Sequence, residues 1–331
     1  MIRFAPPAAA LALLTFPMLV AAQRQVPPAP AQAPAQAAPA APAPTPQAPA
    51  FDKPSPANFT ATTPTKDEVN AFLKASLGFD ENRVWEIEAI LKTPAQGVTK
   101  VVVELGDKSG KQKPGAASFF VLPDGKHIIT ADEVIPFGAN PYADYRTELE
   151  QRADGPYRGT AAKDLEIVEF ADFQCPHCKE AQANMDKLAA DYPKARIVFQ
   201  NYPLARIHPE AVTAAAYGVC VAKQGGSSAF FNYASAVFDG QEGLSTPDGT
   251  TLTLNSAVTK AGLDPVKIAA CAKEPDTDAS VEASVKLAQD MNVNQTPTLM
   301  VNGRQIPANA PYETLKQVID YQAKMDGVAL Q

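Results

Sequence analysis

The sequence is short of several things, and each shortage excludes something. Four cysteines in 331 residues are too few for a small scaffold held mainly by cross-links. Its three histidines are accompanied by no Ser-His-Asp arrangement and no phosphate-binding glycine loop. Basic charge is also scarce: 29 Lys and Arg against 36 Asp and Glu leave a net charge of −7. A general nucleic-acid binder needs a basic face to displace phosphate counterions, so nucleic acid is not an expected partner. No polybasic patch is present for an anionic membrane surface. The carboxylates are scattered, and neither a metal nor a cofactor is expected. Beyond the first 22 residues, no apolar run is long enough to cross a bilayer.

What is present begins with a secretory signal over residues 1–22. Arg3 supplies the positive start, residues 8–20 form a short apolar run, and Val20-Ala21-Ala22 suits cleavage after Ala22. An uncleaved membrane anchor is the other reading. Pro17 and a run shorter than the ~20 residues of a comfortable span argue against it. The mature protein is therefore expected to be exported. Residues 23–58 are dominated by Ala, Pro and Gln, a composition with too little apolar payload to offset chain entropy. A semi-rigid, polyproline-leaning tether is expected there, with a docking site for a Pro-binding module as the alternative.

Two folded units should follow. Thr65 with Glu68 is a capping-box signature, and Val69, Phe72, Leu73 and Leu77 give one apolar helical face. Strand-like runs cover 83–91 and 98–105, and Pro123-Asp124-Gly125 turns a hairpin between 119–121 and 127–129. With a helix over 142–152, this makes a small α+β module over 59–154, bounded by Gly155-Pro156 and Gly159. From 160 to 331 the pattern is α/β: strands at 165–173 and 195–202, a helix over 176–190, and a mostly helical stretch at about 209–291. A hairpin through Asn302-Gly303 and a helix over 312–325 close the chain.

The strongest chemical signal is Phe173-Gln174-Cys175-Pro176-His177-Cys178, where a strand hands over to a helix. Thiol–disulfide exchange needs an attacking thiolate and a second thiol close enough to resolve the mixed disulfide. Cys175 at the helix N-terminus meets the unsatisfied N–H groups and the dipole, which favour its thiolate. Cys178 lies one turn in. Pro176 suits the first helical position, where its missing N–H costs nothing. His177 is expected to donate to the Cys175 sulfur or to carry charge beside it. A structural cross-link and half of a zinc site are the alternatives; zinc lacks a second close pair, because Cys220 and Cys271 are isolated.

Glu169-Phe170-x-x-Phe173-x-Cys175-Pro176-His177-Cys178, followed by Thr296-Pro297-Thr298 and Asn302-Gly303, resembles the thioredoxin-like DsbA family of exported disulfide oxidoreductases. The resemblance runs over about 160–327 and includes the helical insertion. It implies a bacterial periplasmic location, a cis-proline at Pro297, substrate contact at Thr296, and a buried proton-relaying acid at Glu169. It also implies a second disulfide between Cys220 and Cys271, two free buried cysteines being the alternative. Residues 119–129 and the helix before them resemble the N-terminal dimerisation module of the DsbC and DsbG isomerases, a small cystatin-like α+β domain. That likeness implies a homodimer.

Two enzyme readings follow. An oxidase would donate the Cys175–Cys178 disulfide to cysteines of folding exported proteins and be reoxidised by a membrane partner; an isomerase would be kept reduced and attack wrong disulfides. The oxidase is favoured because the tetrapeptide is that of the DsbA oxidases. A third reading, from a different class, is a peptide-binding chaperone with incidental cysteines.

Overall fold

Thr65 begins the first helix as its sequence demands. Its hydroxyl accepts from the Glu68 N–H at 3.2 Å, and the Glu68 carboxylate accepts from the Thr65 N–H at 2.7 Å, a capping box over α1, Lys66–Leu77. The computed structural model describes residues 51, 53–110, 113–131 and 133–330. The signal segment and the tether up to residue 50 lie outside them. The last residues of the expected tether include a short 3-10 turn, Pro56–Asn58, whose Asn58 Nδ2 donates to the Glu88 carbonyl at 3.2 Å.

Strands β1 (Arg83–Lys92), β2 (Thr99–Asp107), β3 (Gly115–Val121), β4 (His127–Thr130) and β5 (Glu133–Pro136) form an antiparallel meander in that order. Alternate residues of β2, Val101 and Val103, face inward with the period of two that a one-sided sheet imposes. They meet Val69, Phe72 and Leu73 of α1, together with Ile90, Phe119 and Ile128. At the β3–β4 turn the Asp124 carboxylate accepts from the N–H groups of Lys126 and His127, and Gly125 takes φ 65°.

The second sheet holds β6 (Tyr157–Gly159), β7 (Glu166–Ala171), β8 (Arg196–Asn201), β9 (Thr298–Val301) and β10 (Arg304–Pro307) in the order β10-β9-β7-β8-β6. The central pair β7 and β8 is parallel and the other neighbours are antiparallel. Every residue of β7 and β8 is buried, as strands covered on both faces require. On one face α3 (Pro176–Asp191) and α8 (Tyr312–Met325) bring Met185, Leu188, Leu315 and Ile319 onto Ile167 and Leu299. On the other, α2 (Ala143–Arg152) and α7 (Pro275–Asp290) bring Leu149 and Leu287 onto Val168 and Phe170. Between β8 and α7 lie α4 (Ala211–Asp239), a 3-10 turn at Gln241–Ser245, α5 (Pro247–Lys260) and α6 (Pro265–Cys271). The mixed α/β architecture with a helical insertion is the one expected.

Two details depart from the sequence reading. The helix expected to close the N-terminal unit packs Leu149 into the core of the second sheet, and Gly159, expected as a boundary, ends the edge strand β6. Three residues are too few for any periodicity to announce a strand. The two sheets are tied together by Arg304 of β10. Its guanidinium donates to the Ala75 and Ser76 carbonyls at the end of α1, where helical partners run out, and stacks on Tyr142.

Candidate redox site

Cys175 is the N-cap of α3, with extended backbone (φ −72°, ψ 120°), and Pro176 follows at the first helical position. Its carbonyl accepts from the N–H groups of Cys178 at 3.1 Å and Lys179 at 3.3 Å, so the helix starts on the reactive residue itself. Cys175 exposes 4% of its surface and Cys178 none. Neither is disulfide-bonded in this structure. The Cys175 thiol donates to the Thr296 carbonyl at 3.5 Å, and the Asp172 N–H donates to Cys178 Sγ at 3.4 Å.

These contacts separate the two thiols. A hydrogen bond from the Cys178 thiol, above all, brings Cys175 down to about 5, helped by the N–H groups of Cys178 and His177. Thr296 also favours the thiolate, though its buried Oγ1 makes no hydrogen bond of normal geometry. Burial pushes the Cys178 thiol far up, and its bond to Cys175 adds to that. One sulfur is thus poised as a nucleophile and the other held as a thiol.

The Thr296–Pro297 peptide is cis and immediately precedes β9. Glu169 of β7 is 3% exposed, and burial pushes its carboxyl up to about 7 against the stabilising bond that Gln182 Nε2 donates at 3.0 Å. Gln182 also donates to the Cys178 carbonyl at 3.1 Å, linking the buried acid to the inner cysteine. Of the two roles expected of His177, donation to the Cys175 sulfur is not made by its ring. Its ring is exposed and Nδ1 pairs with Glu180 Oε2 at 3.0 Å, one turn along the helix, instead of with the Cys175 sulfur. The Glu180 bond raises the imidazole, and the Cys175 charge adds to this, so only the electrostatic part of the expected role remains.

A disulfide joins Cys220 of α4 to Cys271 of α6, 6.0 Å apart at Cα. His127 sits in the first sheet, bound to Asp124 of its own turn at 2.6 Å. Among the described residues no group of three or more His, Cys, Asp or Glu could hold a metal ion.

Sequence reasoning missed three side chains that shape the loop before Cys175. Gln241 Nε2 donates to the Phe173 carbonyl at 2.8 Å and to the Cys175 carbonyl at 2.9 Å. Gln174 donates to the Leu244 carbonyl and accepts from the Glu210 N–H. Asp172 is fully buried and pairs with His208. A carboxylate at the end of an apolar strand was a signal for Asp172; nothing in the sequence marked Gln241.

The family model described as thioredoxin matches residues 151–321, more than half of the chain. The chain belongs to the thioredoxin family. It is 32% identical over 156 residues to the Na(+)/H(+) antiporter NhaA 1 of Mycolicibacterium vanbaalenii, covering 44% of this chain and 23% of that protein. It is 27% identical over 167 residues to the probable disulfide bond formation protein D of Bacillus cereus, covering 48% of this chain and 74% of that one. The chain thus spans less than a quarter of the antiporter's length, and among the described residues no helix is long and apolar enough to cross a membrane. Among solved structures it is similar to oxidised BdbD from Bacillus subtilis, at 24% identity and a TM-score of 0.45 over 51% of this chain and 93% of that one. It is similar also to Pseudomonas aeruginosa DsbA2, at 25% identity and a TM-score of 0.43 over 51% and 94%.

Proposed function

We propose that this chain is an exported thiol–disulfide oxidoreductase that passes the Cys175–Cys178 disulfide to cysteines of other exported proteins. The observation that carries the reading is the contrast between the two thiols, Cys175 brought down to about 5 and Cys178 pushed far up within one helical turn. A stabilised Cys175 thiolate favours the reduced couple, so the disulfide is a strong oxidant. That favours the oxidase over the isomerase, and reoxidation then falls to a membrane redox partner.

In the first step a substrate thiolate attacks Cys175 Sγ. The substrate–Cys175 bond forms, the Cys175–Cys178 bond breaks, and its electron pair goes to Cys178 Sγ. A second substrate thiolate then attacks the substrate sulfur of the mixed disulfide and releases Cys175 as thiolate. The substrate leaves with one disulfide and the enzyme with two reduced cysteines. Glu169 is the acid for proton exchange with the inner cysteine in this reading, supported by its raised carboxyl and by Gln182 Nε2, which donates both to its carboxylate and to the Cys178 carbonyl. Thr296, with its carbonyl at the Cys175 sulfur and Oγ1 buried without a partner, is suited to contact the incoming peptide, with Pro297 behind it.

The isomerase remains the second reading because of the N-terminal sheet. Among the described residues only Phe120 and Val121 of β3 pair with β4, so residues 115–118, which are exposed, offer an edge for a second copy. The mature chain should be given two substrates under a glutathione buffer: a reduced multi-cysteine protein and a scrambled one. Rapid oxidation of the first with little unscrambling supports the oxidase; efficient reactivation of the second makes it a dimeric isomerase. Cys175→Ser decides for or against the chaperone in cells: a chaperone keeps its cellular role without that sulfur, and a redox enzyme loses it.

A further inference from the structure

Between the end of β7 and Cys175 the chain runs through Asp172, Phe173 and Gln174, and Asp172 holds that passage from both its side chain and its backbone. The side chain has no exposed surface. Its Oδ1 accepts from the Gln174 N–H at 2.7 Å, and its Oδ2 accepts from the Leu204 N–H at 2.7 Å and faces His208 Nδ1 at 2.8 Å. A carboxylate can only accept, so Nδ1 is the donor. The backbone of the same residue touches both cysteines. Its carbonyl accepts from the Cys175 N–H at 3.1 Å, and its N–H donates to Cys178 Sγ at 3.4 Å.

Leu204 and His208 lie between β8 and α4, 32 and 36 residues from Asp172. Their contacts fasten the active-site loop to the entrance of the helical insertion.

We propose that His208 is a positioning residue for thiol–disulfide exchange: by holding the Asp172 carboxylate it keeps the Asp172 N–H aimed at Cys178 Sγ, where charge collects as the Cys175–Cys178 bond opens. The inference rests on the exchange reading above and names a residue that serves it. When an external thiolate attacks Cys175 Sγ, a new S–S bond forms there and the old bond's electron pair passes to Cys178 Sγ. That sulfur is wholly buried, so the anion depends on protein donors instead of water. The Asp172 N–H is such a donor. Hydrogen bonds to ionised groups are the strong ones, and they weaken steeply with misdirection. His208 never touches the reacting atoms; it acts through Asp172.

The test separates opening of the disulfide from reactivity of Cys175. Oxidised wild type, His208→Ala and His208→Asn are mixed with excess reduced glutathione, and loss of the Cys175–Cys178 bond is followed by acid quench and mass spectrometry. In parallel, the reduced proteins are alkylated with iodoacetamide, which reads the Cys175 thiolate. H208A should slow opening by about tenfold, the share of a charge-assisted bond lost when it is misaimed. Its alkylation rate should stay within about twofold of wild type, a difference worth well under 1 kcal/mol. H208N, which keeps a side-chain donor, should recover most of the opening rate. Unchanged opening in H208A, or opening and alkylation slowed alike, overturns the inference and leaves the exchange reading standing. A wild-type disulfide inert to glutathione overturns the exchange reading and the inference together. If H208A does not fold, H208N against H208L makes the same comparison of donor kept and donor lost.

Discussion

Cys175 Sγ lies 3.5 Å from the carbonyl oxygen of Thr296, 121 residues further along the chain. The contact joins the first turn of α3 to the start of β9, so the reactive sulfur is shared between two ends of the fold. Cys178 stands behind it with no exposed surface. In the proposed exchange an external partner therefore meets one sulfur of the pair, and the second reacts only through the first.

Reduced Cys175 should titrate near pH 5, the value its surroundings set. The rate of iodoacetamide alkylation should rise through that pH and level off by about pH 7. Replacing Cys178 by Ala removes the largest stabiliser of the thiolate and should move the midpoint up by about one pH unit or more. A midpoint near 8 in wild type would contradict the account.

Glu169 makes stability depend on pH. Burial raises its carboxyl from 4.5 to about 7. Because the folded value lies above the unfolded one, the acid's contribution is intact below about pH 4.5 and is lost as pH rises through 7. Glu169→Gln removes that loss. Its stability relative to wild type, from urea unfolding at pH 4 and pH 8, should grow by about 3 kcal/mol over that interval. A difference independent of pH would show that Glu169 is not held protonated.

Gln241 should matter for the active-site loop although it lies 66 residues beyond Cys175. Gln241→Ala leaves the Phe173 and Cys175 carbonyls without a donor that both share. A loss of about 1–3 kcal/mol is expected in denaturant unfolding. A change below about 0.5 kcal/mol, the size of an ordinary surface substitution, would show that water replaces it fully.

The Cys220–Cys271 cross-link closes a loop with a sequence separation of 51. On the chain-entropy model its removal costs about 4 kcal/mol. The double variant Cys220→Ala/Cys271→Ala should unfold at correspondingly lower urea while Cys175 keeps its alkylation rate. If Cys175 slows as well, the insertion and the redox loop are coupled more tightly than their hydrogen bonds indicate.

What could be read from the sequence was local. The Thr65–Glu68 capping box, the Asp124-Gly125 turn and the Cys-Pro-His-Cys helix start each announce themselves within a few residues, because the physics that forms them acts at that range. The strand Tyr157–Gly159 did not, since its place is set by pairing with β8 and not by any pattern of its own. His177 neighbours Cys175 in sequence, but Glu180 one turn away takes its ring, which leaves charge beside Cys175 and not a ring hydrogen bond. Asp172 meets His208 across 36 residues and Gln241 meets Cys175 across 66, so these contacts exist only once the insertion has folded against the loop.

The most direct test of the account is the reduction potential of the Cys175–Cys178 couple, from equilibration with glutathione redox buffers at pH 7. A thiolate stabilised as strongly as this one predicts an oxidising couple at about −120 to −180 mV. A potential at or below about −270 mV would mark a reductant and would contradict the proposed direction of exchange.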